Sequence, residues 1–267
     1  MSAVTADNAR TPAAVIPRVP LTRVIQVELR KMFDTRSGFW LIASIAISAV
    51  LTAGGVILWA PDGELTYSTF ATAIRFPVVI ILPLIAILAV TSEWSQRTGL
   101  TTFTLIPHRS RIISAKAISS VIIAVAATAL TFAVGALGNL LSAAVTGTTL
   151  VWDVTLTQCL YYVLGMILSL LTGFMLGVLI RSSTGAIVAY FILTFAVPTI
   201  FGLLSQSQRW FHDLQPWIDI QFAQSGLFVF EQALTGEQWA NIAVTAIIWL
   251  FLPMAVGLAF VTRAEVK

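Results

Sequence analysis

Six stretches of nearly unbroken apolar residues punctuate the chain, at about 39–59, 76–92, 117–144, 159–180, 185–204 and 240–261. Crossing ~30 Å of hydrocarbon takes about 20 helical residues at 1.5 Å each, so each run reads as a transmembrane helix. The second run is short and carries Pro77 and Pro83 in its first half; the third is long enough to tilt or to project from the membrane. Ahead of the first run the pattern changes. In residues 21–36, Leu21, Val24, Ile25, Leu29, Met32 and Phe33 recur at helical spacing, with Thr22, Arg23, Gln26, Arg30 and Lys31 largely opposite. A basic amphipathic helix so placed is expected to lie in the headgroup layer. Residues 205–239 are too polar to span but hold Trp210, Phe211, Trp217, Phe222, Phe228 and Phe230, so short helices or a re-entrant piece are expected there. The predicted fold class is therefore all-α: six transmembrane helices, an amphipathic lead-in helix, and short extracellular helices before the last span. Residues 1–20, with Pro12, Pro17 and Pro20, read as a disordered tail. The first apolar run starts too late for the core of a cleavable signal peptide.

Charge adds the orientation. With the N-terminus inside, thirteen of the fifteen Lys and Arg fall in cytoplasmic segments, and only Arg75 and Arg209 fall outside. That asymmetry follows the positive-inside rule and favours six spans over five or seven, with both termini cytoplasmic. Trp40, Trp59, Trp94, Trp152 and Trp239 sit near predicted span ends, as an aromatic belt requires, whereas Trp249 lies inside a span. Composition agrees: 58% of residues are hydrophobic, 10% are charged, and the mean hydropathy is +0.91. A pI near 9.4 is explained by orientation rather than by nucleic-acid binding.

Candidate chemistry is sparse. The spans contain no clear mid-membrane Asp, Glu, Lys, Arg or His, with Glu93 and Arg75 read as lying at helix ends. That argues against a carboxylate proton relay. His108 and His212 fall in loops, which leaves no haem ligand and no intramembrane serine–histidine pair. The lone Cys159 allows no intrachain disulfide and no metal site. Lys31, Lys116 and Lys267 have no phosphate-loop context, so a nucleotide site, and with it enzyme activity, is not expected in this chain. Asn139, Gln158, Thr128 and Thr131 are read first as helix-packing hydrogen bonds.

Three cytoplasmic features concentrate what polarity there is. On the lead-in helix, Glu28 falls inside the apolar stripe, where a carboxylate needs a partner; an Arg or backbone amides of the next feature are expected, or else escape to water. That next feature, residues 92–116, is SEWSQRTGLTTFTLIPHRSRIISAK, in which a short helix N-capped by Ser92 and broken by Pro107 is expected. An ordinary basic loop binding lipid headgroups is the competing reading. The third, RSSTG at 181–185, is a tight turn that makes the fourth and fifth spans an antiparallel pair. Within the fourth, Gly165, Ser169, Gly173 and Gly177 stand four apart and form a smooth ridge for close packing, within the chain or against a second copy.

These features together resemble the permease subunits of ABC-2-type transporters, the membrane halves of type V ABC exporters. The resemblance covers about residues 21–267 and is carried by VELRKMFDTRSGFW, by EWSQRTGLTTFTLIPHRSRIISAK between spans two and three, by the Arg181 turn and by the insertion before span six. The motifs are degenerate, so topology weighs as much as the letters. The resemblance implies a dimer with a second permease subunit, each docking a separate cytoplasmic ABC ATPase, so that ATP and Mg sit on the partner chain and no cofactor sits here. It places Glu93, Arg97, Arg109, Arg111 and Lys116 in an ATPase-coupling loop, with Glu28 and Arg30 on the lead-in helix. It further implies the plasma (inner) membrane, and the apolar spans point to export of an amphipathic or hydrophobic cargo. A scaffold or sensor subunit, or less favourably a secondary transporter, are the competing functions.

Overall fold

A computed structural model of the chain describes residues 20–95, 109–230 and 233–263. Among them the structure is helical throughout, with no strand, and six helices are long and apolar enough to cross a membrane. The chain is a multi-pass membrane protein. The expectation for the tail falls outside the described residues, apart from Pro20, which precedes helix α1 (Leu21–Asp34).

Helix α1 ends where Thr35 turns extended and caps α2 (Arg36–Trp59), its hydroxyl accepting the Gly38 N–H at 3.2 Å. Spans two to four are α3 (Tyr67–Ser95), α4 (Arg109–Thr146) and α5 (Leu156–Ile180). Span five joins α6 (Ser183–Phe191) to α7 (Val197–Ser207) through a π-helical turn, Ile192–Ala196. Span six joins α10 (Gly236–Ala246) to α11 (Leu252–Arg263) through Ile247–Phe251, also π-helical. Each π turn precedes a proline, Pro198 or Pro253, whose missing N–H and ring would otherwise break the ladder. Between them lie α8 (Arg209–Ile218), α9 (Ile220–Ser225) and a 3₁₀ turn, Gly226–Phe228. The aromatic connection thus forms short helices, as its composition required.

Three boundaries differ from the sequence expectation. Span two begins at Tyr67 rather than 76, because Pro77 and Pro83 are carried inside one 29-residue helix. The third helix begins at Arg109, so Arg111 and Lys116 are helical rather than in a loop. Ser92 lies within the last turn of α3 instead of capping a new helix.

Helix α5 is the most enclosed span, and the small-residue ridge explains how. A Cβ on Gly173 would stand 2.6 Å from the backbone oxygen of Pro83, and one on Gly177 3.3 Å from Val90, so α5 packs directly on α3. A Cβ on Gly165 would meet the Phe228 ring at 2.5 Å. Ser169 donates to the Val79 carbonyl at 3.5 Å. All four ridge residues therefore face the chain's own interior. Pro83 has no N–H for the Val79 carbonyl four residues back, and the Tyr190 hydroxyl supplies the missing donor at 2.9 Å. A proline within a membrane span is tolerated on such terms. The tight turn is equally specific: Arg181 adopts φ 58° to end α5, and Ser182 caps α6 by accepting the Gly185 N–H.

Candidate functional site: a buried charge cluster joining four helices

The most concentrated polar chemistry lies at the end of the bundle where α1 packs. Val24, Glu28 and Met32, spaced i, i+4, are the buried positions of α1. Phe33, on the apolar stripe, is 49% exposed on the bundle surface, where it can meet the headgroup layer. Glu28 is the charged member of the buried row. Its Oε2 accepts from Lys116 Nζ at 2.6 Å, with both side chains 5% exposed, and its Oε1 accepts from Lys31 Nζ at 2.7 Å. Glu28 therefore does meet the second polar segment, but through a lysine rather than an arginine or backbone amides, and not by reaching water.

Lys116 also donates to the Ala89 carbonyl of α3 at 3.0 Å. One ammonium thus joins α1, α3 and α4. The neighbouring Ser119 donates to the Ile25 carbonyl of α1 at 3.3 Å, a second tie between α1 and α4. The fourth helix joins through Thr91 of α3, which shares a hydroxyl–hydroxyl hydrogen bond of 2.7 Å with Ser183 of α6. Burial raises the Glu28 pKa, but attraction and hydrogen bonds from Lys116 and Lys31 outweigh it and hold the carboxyl below its usual value. The cluster is charged, and motion of α1 is mechanically tied to α3 and α4.

The other expected site residues are dispersed. Arg30 pairs with Asp34 at 3.1 Å on the exposed side of α1. Arg111 lies half-buried in the first turn of α4. Glu93 and Arg109 belong to α3 and α4, their side chains lying outside the described residues, as does all of Arg97. The expected polar packing bonds are mostly local: Thr128 and Thr131 donate to Ala124 and Ala127 of their own helix, at 2.8 and 3.0 Å. Asn139 instead donates to the Val151 carbonyl at 3.0 Å, and Gln158 bonds the Phe230 carbonyl while completing the Thr155 capping box.

At the opposite end of the bundle, Asp153 receives the Ser68 N–H at 2.9 Å and the Ser68 hydroxyl at 2.6 Å, close to the start of α3. Burial raises its pKa, and these bonds override that and lower it.

Sequence reasoning misplaced one residue. Arg75 is not at a helix end: it is eight residues, about 12 Å, past Tyr67 within span two. An arginine at the centre of a span costs about 2.5–3.5 kcal/mol on insertion scales. Here its guanidinium lies 4.5 Å from the centroid of Phe228, a desolvated cation–π contact worth about 2 kcal/mol. Its Nε is buried without a hydrogen-bond partner. The spans therefore do hold an ionisable group, and the signal that could have found it was the chain's helical continuity through Pro77.

No protein-family model and no curated protein sequence matches this chain.

Proposed function

We propose that the chain is the membrane-spanning permease subunit of an ATP-driven ABC-2-type transporter, working with a separate ATPase. The observation that carries this reading is the buried Glu28–Lys116–Ala89 junction. An amphipathic helix outside the spans is locked to two spans by charge, so a push on α1 moves α3 and α4 together. In this assignment the junction lies on the cytoplasmic side, where the excess of Lys and Arg also falls. Helix α4, at 38 residues, is about 57 Å long and exceeds a ~30 Å core by several turns, which gives the same side a lever to act on. Arg30, exposed on α1, and Arg111, in the first turn of α4, supply basic groups for an ATPase surface. A second permease copy, two ATPase subunits, the inner membrane and an exported amphipathic cargo complete the proposal.

The test is affinity purification in mild detergent followed by ATPase measurement in liposomes. The proposal expects an ABC ATPase to co-purify at one copy per permease, and a Glu28→Gln/Lys116→Met pair to lower cargo-stimulated hydrolysis while leaving basal hydrolysis intact. Recovery without an ATPase, with cargo movement indifferent to ATP, would favour secondary transport instead. Arg75 is the observation behind that second reading, since an ion-coupled pathway requires an ionisable group in the membrane.

A further inference from the structure

Arg75 is a cation inside a span, and among the described residues it has no counter-charge. Among the described residues it forms no ion pair and no hydrogen bond, and its Nε is buried without a partner. Its surroundings are aromatic: the Phe228 ring at 4.5 Å, itself packed edge-on against Tyr162 at 5.5 Å. Tyr162 uses its hydroxyl on the Ala71 carbonyl at 3.2 Å. Rings stabilise the guanidinium but leave its net charge uncompensated.

Arg75 also lies at a margin. Ile74 and Val78 of α3 are fully buried, while Thr72 and the 65%-exposed Phe76 form the outward strip of the same helix. A side chain on a helix tilts toward the N-terminal end, and α3 begins at Tyr67 beside Trp152, ring to ring at 5.2 Å. That tilt leans the Arg75 side chain toward the Tyr67 end of the span, the end opposite α1. Phe228 arrives from that same end, on the 3₁₀ turn wedged against Gly165.

We infer that Arg75, walled by Phe228 and Tyr162, binds the anionic head of an amphiphile entering from the leaflet opposite α1, its tail lying along the Thr72–Phe76 strip. A planar guanidinium takes a carboxylate or phosphate through two parallel hydrogen bonds, and the shared chemistry is one anionic group on hydrocarbon. The source is either a leaflet phospholipid or a single-chain cargo. The binding does not depend on ATP-driven transport; only naming the ligand as cargo rests on the permease reading.

The test uses the full chain in phosphatidylcholine nanodiscs, without any ATPase, and electron paramagnetic resonance of spin-labelled stearate, its methyl ester and spin-labelled phosphatidylglycerol. Wild type is expected to restrict stearate or phosphatidylglycerol in preference to the uncharged ester. Arg75→Gln is expected to lose that preference about 10-fold, as removal of a charged hydrogen-bonding partner predicts, and Arg75→Lys to retain much of it. Loss in the stearate arm alone identifies a single-chain ligand, and loss in the phosphatidylglycerol arm alone a membrane lipid. Equal restriction of stearate, ester and phosphatidylglycerol by wild type overturns the inference without any variant, as does an unchanged preference in Arg75→Gln.

Discussion

Replacing Lys116 by Met removes one charge from the Glu28 cluster while nearly keeping side-chain volume. At an effective dielectric of about 20, charges roughly 3 Å apart attract by about 5 kcal/mol, set against several kcal/mol of desolvation for each ion. Removing one partner of a buried pair costs about 3–5 kcal/mol, because the other is left buried and charged. Lys31 remains on the second carboxylate oxygen, but its side chain is 48% exposed and screened, so it recovers about 1 kcal/mol. The expected loss for Lys116→Met is therefore about 2–4 kcal/mol, and about 0–1 kcal/mol for Lys31→Met. The double variant Glu28→Met/Lys116→Met leaves no buried charge and is expected within about 1 kcal/mol of wild type. The chain holds eight tryptophans, so intrinsic fluorescence reports its thermal unfolding. In Tm the single variant should fall by about 5–15 °C, with most of that restored in the double variant. Equal losses for Lys116→Met and Lys31→Met, or a double variant as unstable as the sum of its singles, would refute the reasoning.

Gly173→Ala drives a Cβ to 2.6 Å from Pro83 backbone and should cost about 1–3 kcal/mol, whereas Gly54→Ala, with nothing within 4 Å, should be neutral or slightly stabilising; the same fluorescence melt separates them. Tyr190→Phe should cost about 1 kcal/mol by leaving the Val79 carbonyl only the long Ser169 bond, and much less in a Pro83→Ala background that restores a backbone donor, a coupling read by a double-mutant cycle. Glu28 and Asp153 both have lowered carboxyl pKa values in the folded state, so their contribution is present above the unfolded carboxylate range and is lost as pH falls through the folded values. Thermal stability should thus be flat in these groups from pH 6 to 8 and decline only below about pH 4.5, a decline that Glu28→Gln should blunt.

The mechanical picture follows from where polar groups meet in an apolar protein. Most hydroxyls in the spans bond their own helix, as Thr128, Thr131 and Thr172 do, and so leave helices free to slide. Bonds between helices are few and placed at the ends: Lys116 and Ser119 to α1, Thr91 to Ser183, Asn139 to the connection before α5. Away from the ends, Tyr190 and Ser169 meet Val79 at the carbonyl that Pro83 leaves without its donor, Tyr162 donates to the Ala71 carbonyl, and Trp249 of span six donates to the Ile218 carbonyl. Helix α3 takes part in several of these bonds, through Ala89, Thr91 and Val79, which makes its two prolines the natural place for a bend that both ends would feel.

Much of the architecture was legible because the membrane imposes it. Six apolar runs, a basic amphipathic helix and an aromatic, unspannable connection each follow from the cost of exposing backbone or charge to hydrocarbon, a cost paid residue by residue and so written locally. The four-residue spacing of Gly165, Ser169, Gly173 and Gly177 likewise marked a packing ridge, although spacing could not say what filled it. That the partners are Phe228, Val79, Pro83 and Val90 of the same chain depends on which helices meet, which only the tertiary structure decides. The same holds for charge. Composition along the chain showed that Glu28 needed a partner; it took the juxtaposition of α1 and α4, 88 residues apart, to supply Lys116. Arg75 marks the limit of the local reading, because a hydropathy window ends at a charge and a proline, whereas a helix continues through both when neighbouring side chains hold the freed carbonyls and an aromatic ring covers the cation.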